Sequence, residues 1–208
     1  MPDFFFENCT KGDVVGIDEV GRGSWAGPVV SCAILIQGKK IDEGLFNLIK
    51  DSKEMSSLSR TSIYKKIINN KIFHVGVGLS SVEEIDELNI QEATFLSMKR
   101  AFNNLRGLKY RNVELVLVDG NKAPKFECDV RCIIKGDKKS LSISSASIVA
   151  KVTRDKIMIK LSDKFPGYGW ETNMGYGTLK HKNALDKLGV NKFHRKSFKP
   201  IKNILKKE

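Results

Sequence analysis

The chain has 208 residues, 41% of them apolar, and a formal charge of +12 from 36 Lys and Arg against 24 Asp and Glu. That length supports one sizeable core. No apolar run approaches the ~20 residues that cross a bilayer, and the N-terminus lacks a basic region followed by a long apolar one, so neither a membrane-spanning helix nor export is expected. Cys9, Cys32, Cys128 and Cys132 follow no zinc-like spacing, so reduced thiols in a cytoplasmic protein are expected. Residues 180–208 hold ten Lys or Arg against Asp186 and Glu208, a tail suited to a polyanion such as nucleic acid, with a merely solubilising surface as the lesser alternative.

Residues 1–13 read as a short lead-in whose three phenylalanines tuck against the body. Val14 to Asp18 then forms a buried strand that runs into two adjacent carboxylates, Asp18 and Glu19, and a Gly21-Arg22-Gly23 turn. Neighbouring strand residues point to opposite faces, so both acids serve one site only where the strand stops or twists. The alternative is a pair of solvated charges. Val29 to Ile36 is a second strand, apolar on both faces and paired with the first as a hairpin. A helix follows near 42–50, then a polar break at Asp51-Ser52-Lys53, then a helix capped by Ser59 and running to about Lys71. Period two from Ile72 gives a third strand, with Phe73, Val75, Val77 and Leu79 on one side and His74, Gly76 and Gly78 on the other.

Asn89 opens a helix whose Phe95, Met98, Phe102 and Leu105 make one apolar stripe. Glu114 to Asp119 repeats the opening theme of a strand ending in an acid before a glycine. Val130 to Ile134 is a fifth strand leading to Asp137 among lysines. A helix of small and apolar residues, from Ser142 to about Leu161, should pack tightly on the sheet. A glycine- and aromatic-rich loop spans Pro166 to Gly177, and a last helix from Thr178 to Leu188 precedes the basic tail. His181 and His194, in basic surroundings, are expected near a phosphate backbone or solvent.

Asp18, Glu19, Asp119 and Asp137 would meet at one sheet edge if their strands are neighbours. An all-oxygen, all-anionic set selects a hard cation, Mg²⁺ or Mn²⁺, and two such ions could clamp the oxygens of a phosphodiester. A basic surface around that centre suits a metal-dependent nuclease. The glycine spacing at 16–23 is not a phosphate-binding loop, because Arg22 stands where lysine is needed and Asp18 and Glu19 would repel phosphate.

Gly16-Ile17-Asp18-Glu19-Val20-Gly21-Arg22-Gly23, Asp51-Ser52-Lys53, Asn89 to Thr94, Val118-Asp119-Gly120, Lys135-Gly136-Asp137, Ala150 to Asp155 and Gly175-Tyr176-Gly177-Thr178 together resemble the ribonuclease HII family from about residue 14 to 198. The resemblance implies an α/β RNase H-like fold, with a central five-stranded mixed sheet flanked by helices over 1–165 and a helical, basic, substrate-binding extension over 166–208. It implies that Asp18, Glu19, Asp119 and Asp137 are the catalytic, metal-binding carboxylates. Gly21, Arg22 and Gly23 match the segment that recognises a ribose 2′-hydroxyl, and Tyr176 the tyrosine that assists it. Lys53, Lys151 and Arg195 would be phosphate contacts or ordinary salt-bridge residues. Ser24, Trp25 and the Ser144-Ser145 pair depart from the commoner residues beside these motifs.

The implied activity is endonucleolytic cleavage of the RNA strand of RNA–DNA hybrids and of ribonucleotide-containing duplex DNA, leaving a 5′-phosphate and a 3′-hydroxyl. A monomer is expected, and a replication-clamp partner is left open. A junction resolvase on the same fold, or a non-catalytic basic protein binding ribosomal RNA, are the competing readings.

Overall fold

The apolar runs become five strands of one sheet in a computed structural model that describes residues 2–50, 56–105 and 112–206. The strands are β1 (Asp13–Val20), β2 (Val29–Ile36), β3 (Phe73–Ser80), β4 (Val113–Asp119) and β5 (Asp129–Ile133), in spatial order β3-β2-β1-β4-β5. β2 pairs antiparallel with β1 and β3, whereas β4 runs parallel to β1 and β5 parallel to β4. The sheet is mixed, as expected, and β1 sits between its antiparallel and parallel halves.

The helices are α1 (Glu43–Lys50), α2 (Ser57–Asn69), α3 (Val82–Leu88), α4 (Ile90–Asn103), α5 (Leu141–Lys164), α6 (Trp170–Asn173), α7 (Leu179–Leu188) and α8 (Lys199–Leu205). α4 covers one face of the sheet, where Val15, Ile17, Ala33, Leu35, Val116 and Val118 meet Met98 and Ala101. α5 covers the other, with α1 and α2 packed around it, so that Cys32, Ile34 and Ile36 meet Ile63, Ile67 and Val149. Covered on both faces, β2 is buried at all eight positions. Glycines set how closely the layers approach. A Cβ on Gly76 or Gly78 would lie 2.1 Å from the Ala101 carbonyl or 2.2 Å from that of Ser97, so α4 rests directly on the backbone of β3. On the opposite face, a Cβ on Gly16 would stand 2.4 Å from Ser142 Oγ.

Several local expectations change. α2 begins earlier than predicted, because Ser56 rather than Ser59 caps it: the Ser56 hydroxyl accepts the Ser59 N–H at 3.2 Å. α3 was not read as a helix, although Ser81 and Glu84 form a reciprocal capping box. The basic tail contains α8, whose Ile201 is fully buried with Ala26, Met158, Trp170 and Leu185. In the lead-in, Phe4 and Phe6 pack against the body but Phe5 is 69% exposed. The lead-in also inserts a buried carboxylate: Glu7 accepts hydrogen bonds from Ser140 Oγ at 2.6 Å, Ser142 N at 2.9 Å and Ser142 Oγ at 2.7 Å. An anion is favoured there, since the first turn of α5 presents unpaired N–H groups.

Candidate active site

β1 and β4 align their acidic ends. The parallel register pairs Ile17 with Val118, so the next residues, Asp18 and Asp119, end up side by side. Both follow the alternation that turns Val14 and Leu117 toward Ile143 of α5. The backbone N–H of Gly136 donates to Asp119 Oδ1 at 2.6 Å, which docks the turn at Gly136–Lys138, and with it Asp137, onto the end of β4. Lys135 makes that turn possible by adopting a left-handed conformation, φ 57°.

β1 runs on through Val20 instead of stopping at the acids, so Glu19 leaves the backbone opposite Asp18; the Asp119 charge nevertheless raises both carboxyls, which places the two acids at one end of the sheet. Its Oε1 accepts from Arg22 Nη1 at 3.2 Å, while its Oε2 is buried without a hydrogen-bond partner. Asp18 is 6% exposed, and its Oδ1 accepts the Glu19 N–H at 2.8 Å. Burial, then the negative charges of Glu19 and Asp119, push the Asp18 carboxyl up to about 7, against a hydrogen bond from Ser147 of α5 that favours the anion. Burial likewise raises Glu19, opposed by the Arg22 charge.

A buried Asp18 repelled by half-buried Glu19 and Asp119, with an orphaned Glu19 oxygen, fits a bound cation, and the all-oxygen character fits a hard one. Among the described residues no three acidic, His or Cys side chains already form a chelating group. Asp18, Glu19 and Asp119 each turn instead toward a local donor: Asp18 to the Glu19 N–H, Glu19 to Arg22, and Asp119 to the Gly136 N–H.

The Gly21-Arg22-Gly23 turn leads from the end of β1 toward β2. Gly21 has φ +94°, and a Cβ there would strike Arg154 Nε at 2.1 Å; Gly23 has open space around it. Two buried arginines hold the loop. Arg154 of α5 donates to the carbonyls of Pro28 at 2.9 Å, Met174 at 2.8 Å and Ala26 at 3.1 Å, and to Ser24 Oγ at 2.7 Å. Ser24 Oγ in turn donates to the Gly21 carbonyl at 2.8 Å, so this departure from the commoner residue is built into the turn. Arg195 donates to the Gly27 carbonyl through Nε at 3.0 Å and Nη2 at 2.8 Å, and to the Arg22 carbonyl at 3.0 Å.

The loop is also stitched to the tyrosine segment, because Trp25 N and Ala26 N donate to the Gly175 carbonyl at 2.8 and 3.3 Å. Tyr176 is 37% exposed, with the Arg154 guanidinium 5.6 Å from its ring centre. The Tyr176 segment and the glycine turn are therefore neighbours.

Two expectations are corrected. Arg195 is 0% exposed and its guanidinium is occupied by carbonyls, so it holds the loop and does not reach a phosphate. His181 and His194 are both 0% exposed, packed with Tyr168 and Trp170, and touch neither solvent nor a phosphate path. Lys151 forms an ion pair with Asp155 at 2.8 Å, and Lys53 lies outside the described residues. Arg154, Ser147 and Ser24 were not singled out as functional from the sequence. Arg154 meets backbone carbonyls and Ser24 at least 20 positions away in the chain, and Ser147 meets Asp18, so most of these contacts leave no spacing to read.

The family model for ribonuclease HII matches residues 15–201. The chain belongs to the ribonuclease HII family. It is 48% identical over 205 residues to a ribonuclease HII of Jannaschia sp. (strain CCS1), covering 98% of each chain. Among solved structures, the ribonuclease H2 of Pyrococcus horikoshii OT3 superposes with a TM-score of 0.80 at 28% identity, covering 94% of this chain and 98% of that one. The RNase HII of Archaeoglobus fulgidus, solved as a complex with PCNA, gives 0.71 at 25% identity over 92% and 96% of the two chains. The fold is thus RNase H-like, and the chain is an endoribonuclease of the ribonuclease H type, acting on the RNA strand of RNA–DNA hybrids. Among the described residues no helix is long and apolar enough to cross a membrane.

Proposed function

We propose that this ribonuclease HII also cuts on the 5′ side of single ribonucleotides embedded in duplex DNA, leaving a 5′-phosphate and a 3′-hydroxyl. It acts as a cytoplasmic monomer, with Asp18, Glu19, Asp119 and Asp137 holding two Mg²⁺ or Mn²⁺ ions. When bound, the ions would lower the pKa of the attacking water and offset charge on the phosphodiester. The observation that carries this reading is the orphaned Glu19 Oε2 next to Asp18, whose carboxyl is pushed up by burial and then by the negative charges of Glu19 and Asp119.

The chain's own residues supply position and recognition. Ser147 and the Glu19 N–H orient Asp18, and the Gly136 N–H orients Asp119. Backbone groups of the Gly21–Gly23 turn, open at Gly23, can approach a 2′-hydroxyl, the group that separates RNA from DNA. Tyr176 offers a flat face to the adjoining sugar and an O–H to bond it. Arg154 and Arg195 hold that turn against the tyrosine segment. Residues 166–208 form the basic, substrate-binding extension.

The test is a duplex DNA carrying one ribonucleotide, incubated with Mg²⁺ or with chelator. Cleavage 5′ of the ribonucleotide is expected only with metal, and Asp119→Asn should lower it by orders of magnitude while the fold survives. Wild-type cleavage by Asp119→Asn would show that the carboxylate assignment is wrong.

A further inference from the structure

Behind the Tyr176 segment lie two histidines for which cleavage has no use. His181, in the first turn of α7, and His194, in the segment before α8, are fully buried, and their Nε2 atoms are 3.1 Å apart. Two imidazole nitrogens at that distance share one hydrogen. The surrounding donors decide which ring carries it. The Asn191 N–H donates to His194 Nδ1 at 3.0 Å, so the neutral His194 ring has its hydrogen on Nε2, directed at His181. His181 Nε2 also accepts the Trp170 Nε1–H at 3.1 Å, so its own hydrogen sits on Nδ1. That Nδ1–H lies 3.0 Å from the Tyr176 carbonyl.

The result is a directed chain, from the Asn191 N–H through His194 and His181 to the carbonyl of Tyr176. An extra proton on His181 Nε2 would face two donors, and one on His194 Nδ1 would face the Asn191 N–H. Burial lowers both rings' affinity for a proton, and the proximity of His181 adds to that for His194. The same Tyr176 carbonyl accepts the Thr178 N–H at 2.8 Å, and the Tyr176 N–H donates to Asn173 O at 2.9 Å. Both ends of the tyrosine's backbone are therefore held, and the direction in which its ring leaves the backbone is set beside Arg154.

We propose that His181 and His194 are positioning residues for substrate discrimination: locked in opposite tautomers, they hold the Tyr176 peptide so that its ring meets the sugar at an embedded ribonucleotide. The tautomer lock rests on geometry alone, whereas its effect on discrimination rests on the role given to Tyr176 above.

Nitrogen-15 NMR of the wild-type protein at neutral pH is expected to show His181 protonated on Nδ1 and His194 on Nε2. Either ring charged, or both in the same tautomer, overturns the lock. In cleavage assays, the ratio of kcat/KM on a single-ribonucleotide duplex to that on a long hybrid is the readout. His181→Asn keeps an N–H near the Nδ1 position and should hold the ratio within about twofold. His181→Phe keeps the ring without the donor and should lower the ratio about tenfold, with hybrid cleavage retained. Equal loss on both substrates in step with Tm, with no rescue by Asn, would mean that the pair is only a packing element and would overturn the proposal. A ratio lost in Tyr176→Ala yet kept in His181→Phe overturns positioning alone. A ratio kept in both overturns positioning together with the Tyr176 reading. If His181→Phe does not fold, His194→Gln, which retains a donor toward His181, and the wild-type tautomers still decide.

Discussion

Asp18→Asn is expected to inactivate the enzyme and, in the absence of metal, to stabilise it at alkaline pH. Asp18 moves from an ordinary 3.8 to about 7 on folding, through burial and the charges of Glu19 and Asp119. An acid whose pKa is raised by folding is held protonated in the native state while the unfolded chain has already released its proton. Native stability is therefore lost as pH rises from about 4 through about 7. A difference of about 3 pH units corresponds to about 4 kcal/mol. Glu19 and Asp119 share the repulsion, so one neutralising substitution recovers about 2 kcal/mol, or about 4–8 °C in Tm for a chain of this length. The assay is thermal unfolding of both proteins in chelator at pH 4 and pH 8, repeated with Mg²⁺. Wild type and variant should melt together at pH 4, where both side chains are neutral, and diverge by pH 8. Mg²⁺ should close the gap, since a ligand at a hundred times its Kd adds about 2.7 kcal/mol and the variant has lost a ligand oxygen's charge. A Tm advantage at pH 8 no larger than at pH 4 would refute the reasoning, because Asp18 would then carry its charge without penalty.

Lys199 and Lys202 on α8, and Lys206 just after it, are exposed. Changing all three to Gln should flatten the slope of log affinity against log salt by about 0.9 for each that meets a phosphate, measured by titration of duplexes at several salt concentrations. Truncation of the same segment would not give this answer, since it removes the buried Ile201. Gly78→Ala should cost about 1–3 kcal/mol, read as a lower Tm, because its methyl would lie 2.2 Å from the Ser97 carbonyl; kcat should be unchanged. Arg154→Lys should weaken single-ribonucleotide cleavage while Mn²⁺ affinity holds, because one ammonium group cannot reach three carbonyls and a hydroxyl together.

What the sequence made legible was whatever local pattern decides. The continuous apolar run at 29–36 could only be a strand covered on both sides, and that is how β2 lies. Apolar runs leading into Asp18 and Asp119 announced an acidic edge, and parallel pairing aligns them, although β1 continues two residues further, to Val20. Short helices with few turns were harder: α3 has its Ser81–Glu84 box as a signal, whereas the lysines around Ile201 and Ile204 hid α8 inside a charge run. Interior polar groups were not legible at all. Arg195, His181 and His194 sit among basic neighbours in the chain, which suggested a surface, yet each is enclosed because backbone carbonyls or another ring meets its polar atoms. Glu7 lies in a segment with no periodicity, and its partners, Ser140 and Ser142, are more than 130 positions away.

The arginine clamp also orders events during synthesis. The turn at Gly21–Gly23 is among the first parts of the chain to leave the ribosome, and the acids of β1 and β4 can pair once residue 119 has followed. The two side chains that grip the turn arrive with residues 154 and 195. A nascent or prematurely stopped chain ending before Arg195 would thus carry all four carboxylates but lack one of the two grips on the Gly21–Gly23 turn. If the turn reads the ribonucleotide as proposed, a late stop codon would impair selectivity while leaving the carboxylates in the chain.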